Sequence, residues 1–187
     1  MDSYKNNNID SNIKIIKIES KDISLQKNEF HECLKIRLKV FVEGQNVSKE
    51  IEIDGLDNVS NHYLIYYNEV PVGTTRTRMI IKTLKDIEEN DNNNRNIKHQ
   101  DLKVIKIERV SILNEYQNKG LGSVMMKYII NDVKKDNSNN IKENKVDYLI
   151  LGSQKYIIDF YKKLGFVEYG QEFLDANMTH LNMKLQI

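Results

Sequence analysis

One cysteine, Cys33, excludes any disulfide within this chain of 187 residues and fits a reducing compartment. A surplus of charge is lacking too. At pH 7 the formal net charge is +1, so no global field draws nucleic acid or an anionic membrane. No basic patch with interleaved aromatics appears, which argues against nucleic acid as a partner. No segment reaches the roughly 18 apolar residues of a membrane span, and the opening MDSYKNNNIDSNIKIIKIE has no apolar run suited to a signal peptide. No membrane partner is therefore expected, and the expected location is cytoplasmic. The glycosylation patterns at Asn46, Asn58 and Asn177 are read as chance. Two phosphate motifs are missing as well. No G-K-[ST] of a Walker loop follows the glycines, and Met125 stands where a dinucleotide fingerprint would carry its third glycine. Nucleotide hydrolysis and hydride transfer are poorly supported.

What is present suits a globular protein: 40% hydrophobic and 29% charged residues, enough for one domain over residues 1–187. Two tracts rich in Asn, Lys, Asp and Glu, residues 85–100 and 134–145, lack core-forming side chains and read as solvated loops. Around them, apolar periodicity predicts strands over Ile13–Glu19, His62–Tyr67, Val70–Ile81, Leu102–Ile112, Val146–Leu151, Phe166–Phe173 and His180–Gln186. Helices are predicted over Leu25–Phe41, Gly120–Val133 and Gln154–Leu164, the last stopped by Gly165. That order implies an α/β (α+β) fold, a mixed sheet with helices on both faces. Cys33 falls on the buried side of the first helix, the place of a small apolar residue rather than a nucleophile.

The stretch ERVSILNEYQNKGLG, Glu108–Gly122, runs from a strand through a polar turn into a helix opened by two glycines. Glycine is a poor helix former. At a helix start, however, free N–H groups and the helix dipole make an anion site, provided side chains leave room. Gly120 and Gly122 leave it. Asn118, Lys119 and Ser123 add donors, so the ligand is expected to carry phosphate. A tight turn with no ligand is the alternative on these residues alone.

Gln117-Asn-Lys-Gly120-Leu-Gly122 matches the Q/R-x-x-G-x-G/A signature of the GNAT superfamily of N-acetyltransferases. Phe160-Tyr161-Lys-Lys-Leu-Gly165-Phe166 resembles the F-Y-x-K-x-G-F segment of the same family. Upstream, Arg37-Leu-Lys-Val-Phe41-Val-Glu43-Gly-Gln45, then Asp54, Asp57, His62, Gly73-Thr-Thr-Arg76 and Glu108-Arg109-Val110, and downstream His180 and Met183, resemble a branch of small stand-alone bacterial enzymes. The resemblance spans roughly Arg37 to Met183. Phe41–Gln45 reads FVEGQ where the branch usually has F-V-x-E-Q, displacing the acid by one position.

The resemblance implies a GNAT fold, a mostly antiparallel sheet with splayed central strands. It implies acetyl-CoA as co-substrate and no metal. The pantetheine arm would pair with the backbone of Val110, Ser111 and Ile112. The pyrophosphate would take the turn Gln117, Asn118, Lys119, Gly120, Leu121, Gly122 and Ser123. Gln154 would supply an amide to the cofactor. Tyr161 would protonate the departing thiolate, while Glu108 or His180 would take the amine proton. The alternative for each is a packed tyrosine, a surface ion pair or a satisfied structural histidine. The acceptor would be a small primary amine bound by the region after the first helix, with Glu43 and Gln45. Arg76 and Arg78, alternating on one strand, would read a substrate phosphate, as in glucosamine 6-phosphate. Otherwise they salt-bridge the acidic loop of residues 43–57 or face solvent. A polyamine, an aminoglycoside, a protein amine, or a non-catalytic acyl-CoA-binding module are the other readings. Relatives are often dimers, so a homodimer is an open expectation.

Overall fold

A computed structural model describes residues 12–87, 101–139 and 145–187. The parts of the two polar tracts at 88–100 and 140–144, and the first eleven residues, lie outside the described residues. Strand β1 (Ile13–Ile18) pairs antiparallel with β2 (Asn61–Tyr67), Ile15 opposite Ile65 and Ile18 opposite His62. Between them come helix α1 (Lys27–Arg37), a π-helical stretch over Leu38–Glu43, and the single turn α2 (Lys49–Glu52), capped by the Ser48 hydroxyl. The predicted helix over Leu25–Phe41 therefore starts later and changes its winding midway. Leu25 is exposed, and after Arg37 the chain widens to π-type bonding that hydrophobic spacing does not announce.

Asn68 and Glu69 both have positive φ (49° and 63°), the requirement of a two-residue hairpin turn leading from β2 into β3 (Val70–Thr83). Helix α3 (Leu84–Ile87) follows, opened by a reciprocal pair in which Asp86 accepts from the Thr83 N–H and Thr83 Oγ1 accepts from the Asp86 N–H. Its Ile87 is fully buried, so the start of the first polar tract is core and not loop. Next come β4 (Asp101–Ile112) and the long helix α4 (Leu121–Asn139), which buries Leu121, Met125, Met126, Ile129, Ile130 and Val133 at helical spacing. The second polar tract is corrected likewise. Residues 134–139 extend α4 as its solvated end, all but Asn137 exposed. The Asn137 side-chain amide then clamps Val146, donating to its carbonyl and accepting from its N–H, both at 2.8 Å.

Strand β5 (Tyr148–Gln154) leads through a 3-10 turn at Lys155–Ile157 into the short helix α5 (Ile158–Lys162). The one helix predicted over Gln154–Leu164 is thus three pieces, the first of them strand. Strands β6 (Val167–Asp175) and β7 (Met178–Gln186) close the chain as a hairpin.

The strands form one seven-stranded sheet in the order β1-β2-β3-β4-β5-β7-β6. The β4–β5 pair is parallel, and β1–β2, β5–β7 and β6–β7 are antiparallel. A parallel pair needs a long crossover, and α4 lies in that connection. Contacts gather the chain into two compact units, Met1–Arg76 with Arg109–Met125, and Thr77–Glu108 with Met126–Ile187. In the first, Ile18, Cys33, Ile36 and Leu64 form a core extended by Phe30, Val40 and Tyr66. Burial pushes the Cys33 thiol up to about 11, which suits packing and not nucleophilic attack. In the second, Ile87, Leu102, Val104, Tyr148 and Ile150 pack together.

Candidate active site

In the first unit, the expected phosphate turn has the conformation its sequence implies. Asn118 (φ 60°) and Gly120 (φ 77°) are left-handed, and the Val124 N–H bonds to the Gly120 carbonyl at 3.1 Å. Gly120 thus caps α4, and Leu121, Gly122 and Ser123 supply the N–H groups of its first turn. A Cβ built on Gly120 would meet nothing within 4 Å. The glycine is needed for its φ, and the space in front of it is open. Gln117 turns back, its amide donating to the Ile112 carbonyl (3.1 Å) and to Asn114 Oδ1 (3.0 Å), which ties the turn to the end of β4. Lys119 Nζ lies 5.0 Å from the Tyr116 ring centroid and 5.8 Å from that of Tyr67, a cation held over aromatic faces beside the turn. Of the preceding strand, Ser111 is buried, its hydroxyl directed at the Thr74 carbonyl (3.4 Å), and Val110 and Ile112 are half-buried.

Close by in the chain, Gly73 admits no side chain. A Cβ there would lie 2.3 Å from Ile112 Cδ1 and 2.7 Å from the Ser111 carbonyl oxygen. The backbones of β3 and β4 approach closely at that point because nothing stands between them.

The same unit holds three arginines against three carboxylates. Fully buried Arg37 donates to Glu52, to Asp57 Oδ1 (2.6 Å) and to the Glu52 carbonyl (2.9 Å). Arg76, also fully buried, grips Asp54 with two nitrogens at 2.7 and 2.6 Å and reaches Asp57 at 3.0 Å. Arg109 forms an ion pair with Glu52 Oε2 (2.8 Å) at an angle that makes no hydrogen bond; its Nη2 donates to the Ile51 carbonyl (2.9 Å) and to Asp54 (3.3 Å). The Arg76 hydrogen bond holds the Asp54 carboxyl well below the usual range. Burial works to raise Asp57, but Arg37 and Arg76 outweigh it and hold it down. Burial lowers His62, whose Nε2 lies 3.1 Å from the Asp57 carbonyl.

The acidic loop therefore turns three of its charges inward. Arg76 reads carboxylates of its own chain and is closed to solvent, so the expected use of Arg76 and Arg78 as one phosphate clamp gives way to this pairing. Glu43 is exposed at the end of the π-helical stretch and Gln45 is half-buried just after it.

The second unit holds the residues expected to do chemistry. Glu108 accepts from Arg78 at 2.9 and 3.1 Å, a two-pronged pair, and from Lys106 Nζ at 2.9 Å. Lys106 and Glu108 thus share a side of β4. The next residue, Arg109, has φ 57°, which breaks the strand's alternation, and the last rung between β4 and β5 is Ile107–Leu151. In the registers Lys106 is level with Ile150, Gly152 with Asn182 and Gln154 with His180. By the two-residue period, Glu108, Gly152, Gln154, Asn182 and His180 belong to one face.

His180 Nδ1 lies 2.9 Å from the Met178 carbonyl, to which it donates. In the neutral ring that bond places the proton on Nδ1 and leaves the lone pair on Nε2. The Phe173 ring stacks on the imidazole at 5.6 Å. Phe173 escaped the sequence reading, although counting outward from a two-residue turn at Ala176–Asn177 pairs it with His180. Gln154 Nε2 approaches Met178 Sδ at 3.4 Å. Tyr161, 4% exposed, packs edge-on against Phe160 and Phe166, and burial pushes its phenol above the usual tyrosine range. No group of three or more His, Cys, Asp or Glu among the described residues is placed to hold a metal, and no described helix is long and apolar enough to cross a membrane.

This architecture is that of the acyl-CoA N-acyltransferases. A crystal structure of an acyl-CoA N-acyltransferase from Pseudomonas aeruginosa superposes with a TM-score of 0.67 at 20% identity, over 92% of this chain and 98% of that one. A GNAT family acetyltransferase from Elizabethkingia anophelis with acetyl-CoA bound gives 0.56 at 16%, over 94% and 99%. In sequence, the uncharacterized N-acetyltransferase YjcF of Bacillus subtilis is 32% identical over 86% of this chain and 95% of its own. The family model for the acetyltransferase (GNAT) domain matches residues 88–187. The chain belongs to the GNAT family of acetyltransferases. Acetyl-CoA-dependent transfer to nitrogen is the activity that membership carries.

Proposed function

We propose that residues 1–187 act as one N-acetyltransferase that moves acetyl from acetyl-CoA to a small primary amine by direct attack. The observation that carries the cofactor half is the open, left-handed Gly120 at the start of a 19-residue helix. A pyrophosphate fits there, on the N–H groups of Leu121, Gly122 and Ser123, with Asn118 and Lys119 flanking and Gln117 holding the turn. Val110, Ser111 and Ile112 pair with pantetheine, and Gln154 contributes its amide.

The acceptor arrives protonated, so a base must act first. His180 suits this through its unshared Nε2. Glu108 is the second candidate, although both its oxygens already accept from cations and one contact must yield before it takes a proton. The freed amine nitrogen attacks the thioester carbon, the C–S bond breaks, and the proton the nitrogen then sheds passes to the departing sulfur, which Tyr161 steadies by a hydrogen bond.

For the acceptor, Arg78 beside Lys106, with Glu43 and Gln45, remain the candidate contacts. The burial of Arg76 removes half the support for glucosamine 6-phosphate and shifts weight to unphosphorylated amines. Calorimetric titration with acetyl-CoA tests the cofactor reading: wild type should bind at submillimolar concentration, and Gly120→Val should not. Binding by neither protein, or by both alike, would reject it. An acceptor screen scored by released CoA thiol, covering amino-sugar phosphates, polyamines, aminoglycosides and peptide amines, then selects the substrate class.

A further inference from the structure

Arg109 occupies a backbone region that a Cβ resists, with φ 57° in the middle of a strand. Neither glycine nor asparagine stands there to ease it, so other contacts must hold it. All three contacts of its guanidinium fall on one short piece of chain: the Ile51 carbonyl, Glu52 and Asp54. That piece is itself fixed. Arg37 holds both the side chain and the carbonyl of Glu52, and Arg76 holds both oxygens of Asp54. The left-handed residue is thus braced from a frame whose other members are fully buried arginines.

Immediately after it come Val110, Ser111 and Ile112, the backbone that holds pantetheine in the proposed function, on which this inference rests. We infer that Arg109 is a positioning residue: braced by Ile51–Asp54, it sets the bend in β4 and thereby aims the thioester carbonyl at the incoming amine, touching neither substrate itself. The acidic loop, on this account, serves the cofactor strand and not the acceptor's charge.

Arg109→Gly tests this, because glycine keeps the backbone angle and removes only the brace. Expected is a fall in kcat of about 10- to 100-fold, the scale of a small misplacement of reacting atoms. The Kd of free CoA should stay within about twofold, since the phosphate turn is untouched. Asp54→Asn, which loosens the frame from the other side, should shift kcat in the same direction by a smaller factor. Unchanged kcat in both folded variants, whatever their melting temperatures, would overturn the inference and leave Arg109 a stabilising residue. A raised acceptor KM at constant kcat would overturn it too, by making Arg109 a substrate contact. Should Arg109→Gly fail to fold, kcat of Asp54→Asn measured below its melting point decides alone. Failure of wild type to bind acetyl-CoA would instead strike the proposed function, and the titration reads that separately.

Discussion

Tyr161 keeps its ring in an apolar seat between Phe160 and Phe166, and burial raises its phenol above the ordinary range. Held neutral in this way, it keeps its proton to donate. Its proton is held more tightly than that of a free thiol, so it steadies the sulfur by a hydrogen bond as charge develops there, more than by full transfer. Tyr161→Phe should cost about 100-fold in kcat while the Kd of acetyl-CoA moves less than about twofold. Steady-state thiol release with parallel calorimetry checks both, and an unchanged kcat would reduce Tyr161 to packing. At this scale the tight turn at Gly120 was legible as backbone, since its left-handed φ opens α4 where the glycines stand. The sequence misled at Arg76. Alternation tells which way a Cβ points, not which partner arrives. Asp54 and Asp57 reach Arg76 from 22 and 19 residues away, and no local pattern encodes that meeting.

Strands β3 and β4 depend on a missing side chain. At Gly73 a Cβ would press on the Ser111 carbonyl oxygen, on Ile112 and, at 2.9 Å, on Ile65 Cγ2. The carbonyl cannot swing aside as a flexible side chain would. Gly73→Ala should therefore lower stability by about 1–3 kcal/mol, measured by urea unfolding. A neutral result would mean that the strands part freely. Elements with strong periodicity were legible: every predicted strand is present, with ends shifted by a few residues. Helix ends were not. Residues 134–139 look like loop because their polar side chains face water, yet nothing among them breaks a helix. The π-helical stretch after Arg37 and the left-handed Arg109 have no signature in side-chain type at all.

Taken as a whole molecule, the protein should lose stability in acid in two steps. His62 is lowered by burial, so below about 6.5 the unfolded chain gains a proton that the folded chain refuses. Stability falls from there until the folded His62 titrates. Asp57 and Arg37 and Arg76 are the charges facing it. Asp54 and Asp57 are depressed, so their contribution is complete above about 4 and is lost as pH falls toward their folded values. Urea midpoints against pH should show both steps, and His62→Gln should erase the upper one alone; a single step in wild type would contradict this. The family was legible because its motifs are spread over most of the chain. The charge-balanced cluster of Arg37, Arg76 and Arg109 with Glu52, Asp54 and Asp57 was not, because a net charge of +1 hides pairs that cancel. The Asn137 clamp on Val146 has a last consequence. Its amide imitates a neighbouring strand and closes the circuit from α4 to β5 without using the chain between them. Each doubling of that connection would cost only about 0.6 kcal/mol in closure entropy. The seam is a place where evolution, or a protein engineer joining the ends and cutting anew, can lengthen or open the polypeptide and leave both flanking elements their knot.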